Sequence, residues 1–98
     1  MIKFLKQPSE SWPMAFEFAG KLPSGASLAT GTVSAVRLDT GATDNTVLAS
    51  TTLTISGTQA RFQPQAGEDG VQYRITALVA LSTGASLEED ALMDVRNL

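Results

Sequence analysis

The stretch Glu68-Asp69-Gly70-Val71-Gln72-Tyr73-Arg74-Ile75-Thr76-Ala77-Leu78-Val79-Ala80-Leu81 decides the fold. Val71, Tyr73, Ile75, Ala77, Val79 and Leu81 take one side of an extended chain, and Gln72, Arg74, Thr76, Leu78 and Ala80 take the other. Apolar residues at every second position describe a strand with one face in a core. Ahead of it, Asp69-Gly70-x-x-Tyr73 has the form of a tyrosine corner, in which a buried tyrosine returns its hydroxyl to nearby backbone. Asp69, Gly70 and Tyr73 are therefore the expected structural corner, with Asp69 bracing it through backbone N–H groups.

The flanking sequence supplies more strands of the same kind. Ile2–Leu5 reads as a short first strand stopped by Pro8, and Met14, Phe16 and Phe18 alternate with Ala15, Glu17 and Ala19. Lys21–Ala26 is a turn. From Leu28 to Leu38 the even positions share a side, Val33 points away from it, and a bulge near Gly31 is expected. Asp39–Asn45 is a loop, after which Val47, Ala49, Thr51, Leu53 and Ile55 share a face. Ala60 and Phe62 point inward and Arg61 outward. Pro64–Gly70 forms the corner. Ser82-Thr83-Gly84-Ala85 is a hairpin turn, with Gly84 free to take positive φ. Ala91, Met93 and Val95 close the core, with Asp90, Asp94 and Arg96 outside.

Seven strands about ten residues apart, separated by Gly, Ser, Thr and Pro, give an all-β chain with no helical apolar stripe. The expectation is a single seven-strand immunoglobulin-like or fibronectin-III-like β-sandwich with Greek-key connections, filling residues 1–98 as one domain. Antibody-type domains join their sheets by a disulfide, but this chain has no cysteine. Ile75, two residues after Tyr73, stands where the second cysteine would, so packing has to do that work.

The net charge of −3 and the scattered lysines and arginines disfavour nucleic acid, which calls for clustered cations. Lys6, Gln7, Pro8, Ser9 and Glu10 interrupt what begins like a signal peptide. No apolar run reaches the ~18 residues of a membrane span. The expected location is the cytosol of the producing cell, unless the chain is carried out in an assembly.

With neither histidine nor cysteine, the commonest general base, metal ligand and thiol nucleophile are missing together. No serine lies in a G-x-S-x-G elbow, and no phosphate-binding glycine loop is present. Glu88, Glu89 and Asp90 are adjacent, but alternation sends Glu89 to the opposite face, and a solvated strand end explains the run. Calcium is the bolder reading of the acidic loops, with Asp39 and Asp44 in one, and Glu68 and Asp69 in another at a different end. No D-x-D-x-D-G run supplies the six to eight oxygens that calcium takes. The expectation is no catalytic residue, no metal and no cofactor.

Two features remain for binding. Trp12, the sole tryptophan, reads as a plug over one end of the core, or else as a stacking platform for a sugar or a partner side chain. Leu78, Ala80 and Leu92 face outward on strands that should pair as a hairpin. They form a candidate interaction surface, unless the first strand or a loop shields them.

Lys6-Gln7-Pro8-Ser9-Glu10 followed by Met14–Phe18, and Gly25-Ala26-Ser27-Leu28-Ala29-Thr30-Gly31-Thr32, carry a resemblance beyond periodicity. So do Ala66-Gly67, Gly70, Tyr73, Ile75-Thr76, Gly84 and Glu88-Glu89-Asp90. Together they resemble the small immunoglobulin-like proteins encoded among the structural genes of tailed bacteriophages and prophages. The chain departs from that pattern at Val33, where the family carries an aromatic residue.

The resemblance implies a non-enzymatic structural or accessory protein of a tail, a fibre attachment or a head–tail junction. It implies partners among virion or prophage structural proteins, with self-association open. Contact would come from packing and from strand addition at Ile2–Leu5 or Ala91–Val95. A carbohydrate- or cell-surface-binding module, built on Trp12 and the acidic loops, is the alternative.

Overall fold

Two sheets carry the inward rows of apolar residues, and those rows meet in one core. The computed structural model describes residues 2–98. Strands β1 (Ile2–Lys6), β2 (Met14–Glu17), β3 (Leu28–Arg37), β4 (Thr54–Ser56), β5 (Gln59–Phe62), β6 (Gln72–Leu81) and β7 (Ser86–Val95) follow in chain order. One sheet has the order β1-β7-β6-β3 and the other β2-β5-β4. Phe16, Ala60 and Phe62 of the smaller sheet share a buried cluster with Val33, Tyr73, Ile75, Val79, Ala91 and Met93 of the larger. The Phe16 and Phe62 rings stack with centroids 5.0 Å apart.

β6 and β7 pair antiparallel through the turn at Ser82–Ala85, where Gly84 has φ of 91°. The Leu81 N–H reaches the Ala85 carbonyl at 2.8 Å, closing the hairpin. β1 returns to this sheet parallel to β7, aligning Lys3 with Leu92 and Leu5 with Asp94. The segment Ala91–Val95 is therefore interior to the sheet. It offers no free edge, contrary to the sequence expectation, because β1 occupies that side.

β3 explains its own irregular pattern. The register slips between Leu28 and Thr30, so the bulge falls at Ala29, two residues before Gly31. One extra residue inverts the alternation that follows. Val33 and Ala35 consequently face the core, where the uninterrupted pattern had turned them away. Gly31 lies where β3 passes closest to its neighbours. A Cβ there would stand 2.8 Å from Leu53 Cδ1 and 3.0 Å from Val79 Cγ1.

The face expected over Val47–Ile55 does not form. Asn45–Val47 is a short 3-10 turn capped by the Asp44 carboxylate, and β4 covers only Thr54–Ser56. Val47 and Leu53 are buried, whereas Ala49 and Thr51 are exposed. The reason lies in the hydrogen bonds of this segment. Val33 donates to the Thr51 carbonyl and Leu53 to Gly31 on one side, while Ala49 donates to Gln63 and Gln65 to Val47 on the other. A crossing between two sheets has no single face to present to a core. Asp94, expected outside, does lie on the outer face of β7, yet it is only 6% exposed and is paired with Arg96 at 3.0 Å.

Candidate interaction surface

The outer face of the four-stranded sheet is ordered by register into cross-strand rows. Leu92 faces Lys3 on one side and Arg74 on the other. Asp90 stands opposite Thr76, Leu78 opposite both Glu88 and Thr32, and Ala80 opposite Ser86 and Thr30. Leu78 is 47% exposed, and Ala80 is exposed beside it. Both line a shallow groove of about 370 Å³ with Thr30, Gly31, Thr32 and Thr52. Leu92 is half-buried and lies four residues along the strand direction from Leu78, roughly 13 Å at ~3.3 Å per residue. The Asp90–Thr76 row separates the two. The structure thus brings Leu78 and Ala80 together and sets Leu92 apart.

Trp12 is half-buried, with its ring edge-on to Phe4 at a centroid distance of 6.4 Å. Phe4 in turn packs against the core. At the corner, Tyr73 is 1% exposed, and its hydroxyl accepts a hydrogen bond from the Glu68 N–H at 3.0 Å. Gly70 adopts φ of 85°, and its N–H reaches the Val95 carbonyl at 2.8 Å. The Asp69 carboxylate accepts from the N–H of Asn97, so it braces the chain after β7.

The acidic loops lie closer together than the sequence suggested. Asp39 and Glu68 converge on one guanidinium, that of Arg37, at 2.9 and 2.5 Å. Hydrogen bonds to Asp39 and then Glu68 hold Arg37 above the ordinary arginine value, and the same contact lowers the Asp39 carboxyl. Asp44 caps the Asn45–Val47 turn. Among the described residues, no group of three or more metal-ligating side chains could hold an ion.

Lys6 is the residue that sequence reasoning passed over. It shares the inward parity of Phe4 on β1 and is fully buried. Its ammonium has three protons and meets three carbonyl oxygens, those of Gln7 (2.8 Å), Pro8 (3.1 Å) and Ala66. Burial pushes its pKa below the ordinary lysine value, and the nearby Glu10 carboxylate works in the opposite direction. The Glu10 side chain also accepts from the Gln7 N–H at 2.7 Å, while its own N–H donates to the Gln7 carbonyl. The K-x-P-x-E spacing is therefore a clamp. Lysine ties the N-terminal turn to the Ala66-Gly67 corner, and glutamate closes the turn.

Among the described residues, no helix is long and apolar enough to cross a membrane. No curated protein and no solved structure matches the chain. A family model described as podophage GP4 fiber-tail adaptor protein gp77 matches residues 6–94, from the clamp lysine to the penultimate residue of β7. On a match of that extent, the chain belongs to this podophage fiber-tail adaptor family, a family of phage structural proteins.

Proposed function

We propose that the chain is a non-enzymatic adaptor of a tailed-phage virion, joining tail and fibre through protein–protein contacts. The family match over residues 6–94 is the observation that carries this reading. The sheet pairing supports an immunoglobulin-like sandwich with Greek-key connections, built as a single domain around one core. Such a domain presents rigid faces and edges, which suits a joint that has to hold its geometry.

The groove at Leu78 and Ala80 is the contact surface in this reading. An exposed leucine on the outer side of a sheet favours burial against a partner, at roughly 1.5–3 kcal/mol for a fully covered side chain. The carbohydrate-binding alternative has less support, because the Trp12 ring leans on Phe4. Leu78→Lys tests the proposal. The new lysine would face Glu88 across the strands, a favourable cross-strand pair, so the fold should survive. The variant should fold with an unchanged circular dichroism spectrum yet be lost from particles. Full incorporation of Leu78→Lys would exclude this surface.

A further inference from the structure

We propose that β1 is the docking edge of the four-stranded sheet, and that it takes an acidic extended segment of a partner protein as a fifth strand. The inference rests on the adaptor reading and adds the chemistry of the partner.

The two edges of this sheet differ. The β3 edge is closed by its own chain, because Thr52 bridges Thr32 and Thr43 bridges Val36. The Asn45 side chain also accepts the Ala35 N–H at 2.9 Å. β1 has β7 on one side and, among the described residues, no strand on the other. In a parallel ladder, alternate residues turn both main-chain groups to the same neighbour. The Lys6 carbonyl accepts from Arg96 N–H on the β7 side, so the main-chain groups of Lys3 and Leu5 face the open side. Their side chains lie on the outer face of the sheet, opposite Leu92 and Asp94, and both residues are exposed.

Charge selects the occupant. Lys3 and Arg74 flank Leu92 in one row, and neither makes an ion pair among the described residues. The neighbouring acid Asp94 is already matched by Arg96, and Asp90 stands in the next row, opposite Thr76. This strip is cationic on a chain of net charge −3. A strand added to β1 places a residue directly opposite Lys3, on the same face and within reach of its ammonium. A carboxylate answers that position, and an apolar side chain two residues away answers Leu5. A second copy meeting β1 to β1 on a common outer face brings Lys3 against Leu5 or another Lys3, and no carboxylate. Strand addition of this kind draws affinity from main-chain hydrogen bonds and specificity from alternate side chains.

Lysine on an edge also serves simply to discourage pairing, and the experiment separates the two roles. A peptide of alternating valine and glutamate, and its valine–lysine counterpart, are titrated into the isotope-labelled chain while main-chain amide shifts are followed. The glutamate peptide should shift the Lys3 and Leu5 amides saturably, and Lys3→Glu should weaken it by about ten-fold or more. The lysine peptide should leave both amides unmoved on the native chain. Equal binding of the two peptides, unchanged binding to Lys3→Glu, or no shift at β1 with millimolar peptide would overturn the proposal. Dimerisation of the free chain through β1 would do the same. Failure here, with Leu78→Lys still lost from particles, removes this partner chemistry and leaves the adaptor reading standing.

Discussion

The Lys6 ammonium donates to the main-chain carbonyl of Ala66, a contact spanning 60 positions of sequence. It fixes the turn before β2 to the corner before β6, at a place where Gly67 leaves no room for a side chain. A Cβ on Gly67 would lie 2.9 Å from Val95 Cγ2. Lys6→Met keeps the stem but strips the donors from three carbonyls. The expected cost is about 2–3 kcal/mol, in the range for buried groups left without a partner. Urea denaturation should show a lower midpoint with an unchanged slope.

Tyr73 holds the other side of the same corner. Tyr73→Phe keeps the ring in the core and removes only the acceptor for the Glu68 N–H. A loss of about 1 kcal/mol is expected, together with faster hydrogen exchange at the Glu68 amide. Unchanged exchange there would mean that the hydroxyl does not hold the corner.

Gly31 is a packing requirement of β3. Gly31→Val drives carbon into the space held by Leu53, Val79 and the Leu78 carbonyl, which would lie 3.2 Å from the first added atom. Overpacking of this kind costs about 1–3 kcal/mol. Thermal unfolding should show it as a clear drop in Tm.

Much of this architecture was legible in the sequence. β6 follows a period of two without interruption, and the hairpin glycine marks where it turns into β7. Leu28–Arg37 was harder, because a single bulged residue reverses the meaning of every later position and leaves only Gly31 as a local sign. Val47–Leu53 misled for a different reason. Its apolar residues alternate like a strand, but its main-chain hydrogen bonds divide between two sheets. Lys6 was hidden by its own chemistry, since lysine is rarely buried and nothing local indicates three carbonyls waiting for it. The parity it shares with Phe4, together with the K-x-P-x-E spacing of Lys6, Pro8 and Glu10, was the available signal. For the candidate surface, sequence alternation picked out the outward leucines, but only strand register shows that Leu92 lies two rows from Leu78.

The Arg37 cluster should be visible in acid. Asp39 is held below its ordinary value of 3.8 by its hydrogen bonds to Arg37. Glu17 lies below 4.5, first through the Thr58 hydroxyl and then the Ala19 N–H. Both carboxyls bind protons more weakly when folded, so the unfolded chain takes up more protons as pH falls. Their contribution is complete above the unfolded values and is lost as pH drops through the folded ones. NMR titration should find both depressed, and Arg37→Gln should return Asp39 toward 3.8 while leaving Glu17 in place. An Asp39 value indifferent to Arg37→Gln would contradict the pairing.

In the adaptor reading, this chain is a structural part of the virion. Quantitative mass spectrometry of purified particles tests it most directly. The chain should be present in a fixed ratio to the tail proteins across preparations, and it should remain after washes that remove loosely bound protein. Its absence from intact, fibre-bearing particles would contradict the claim.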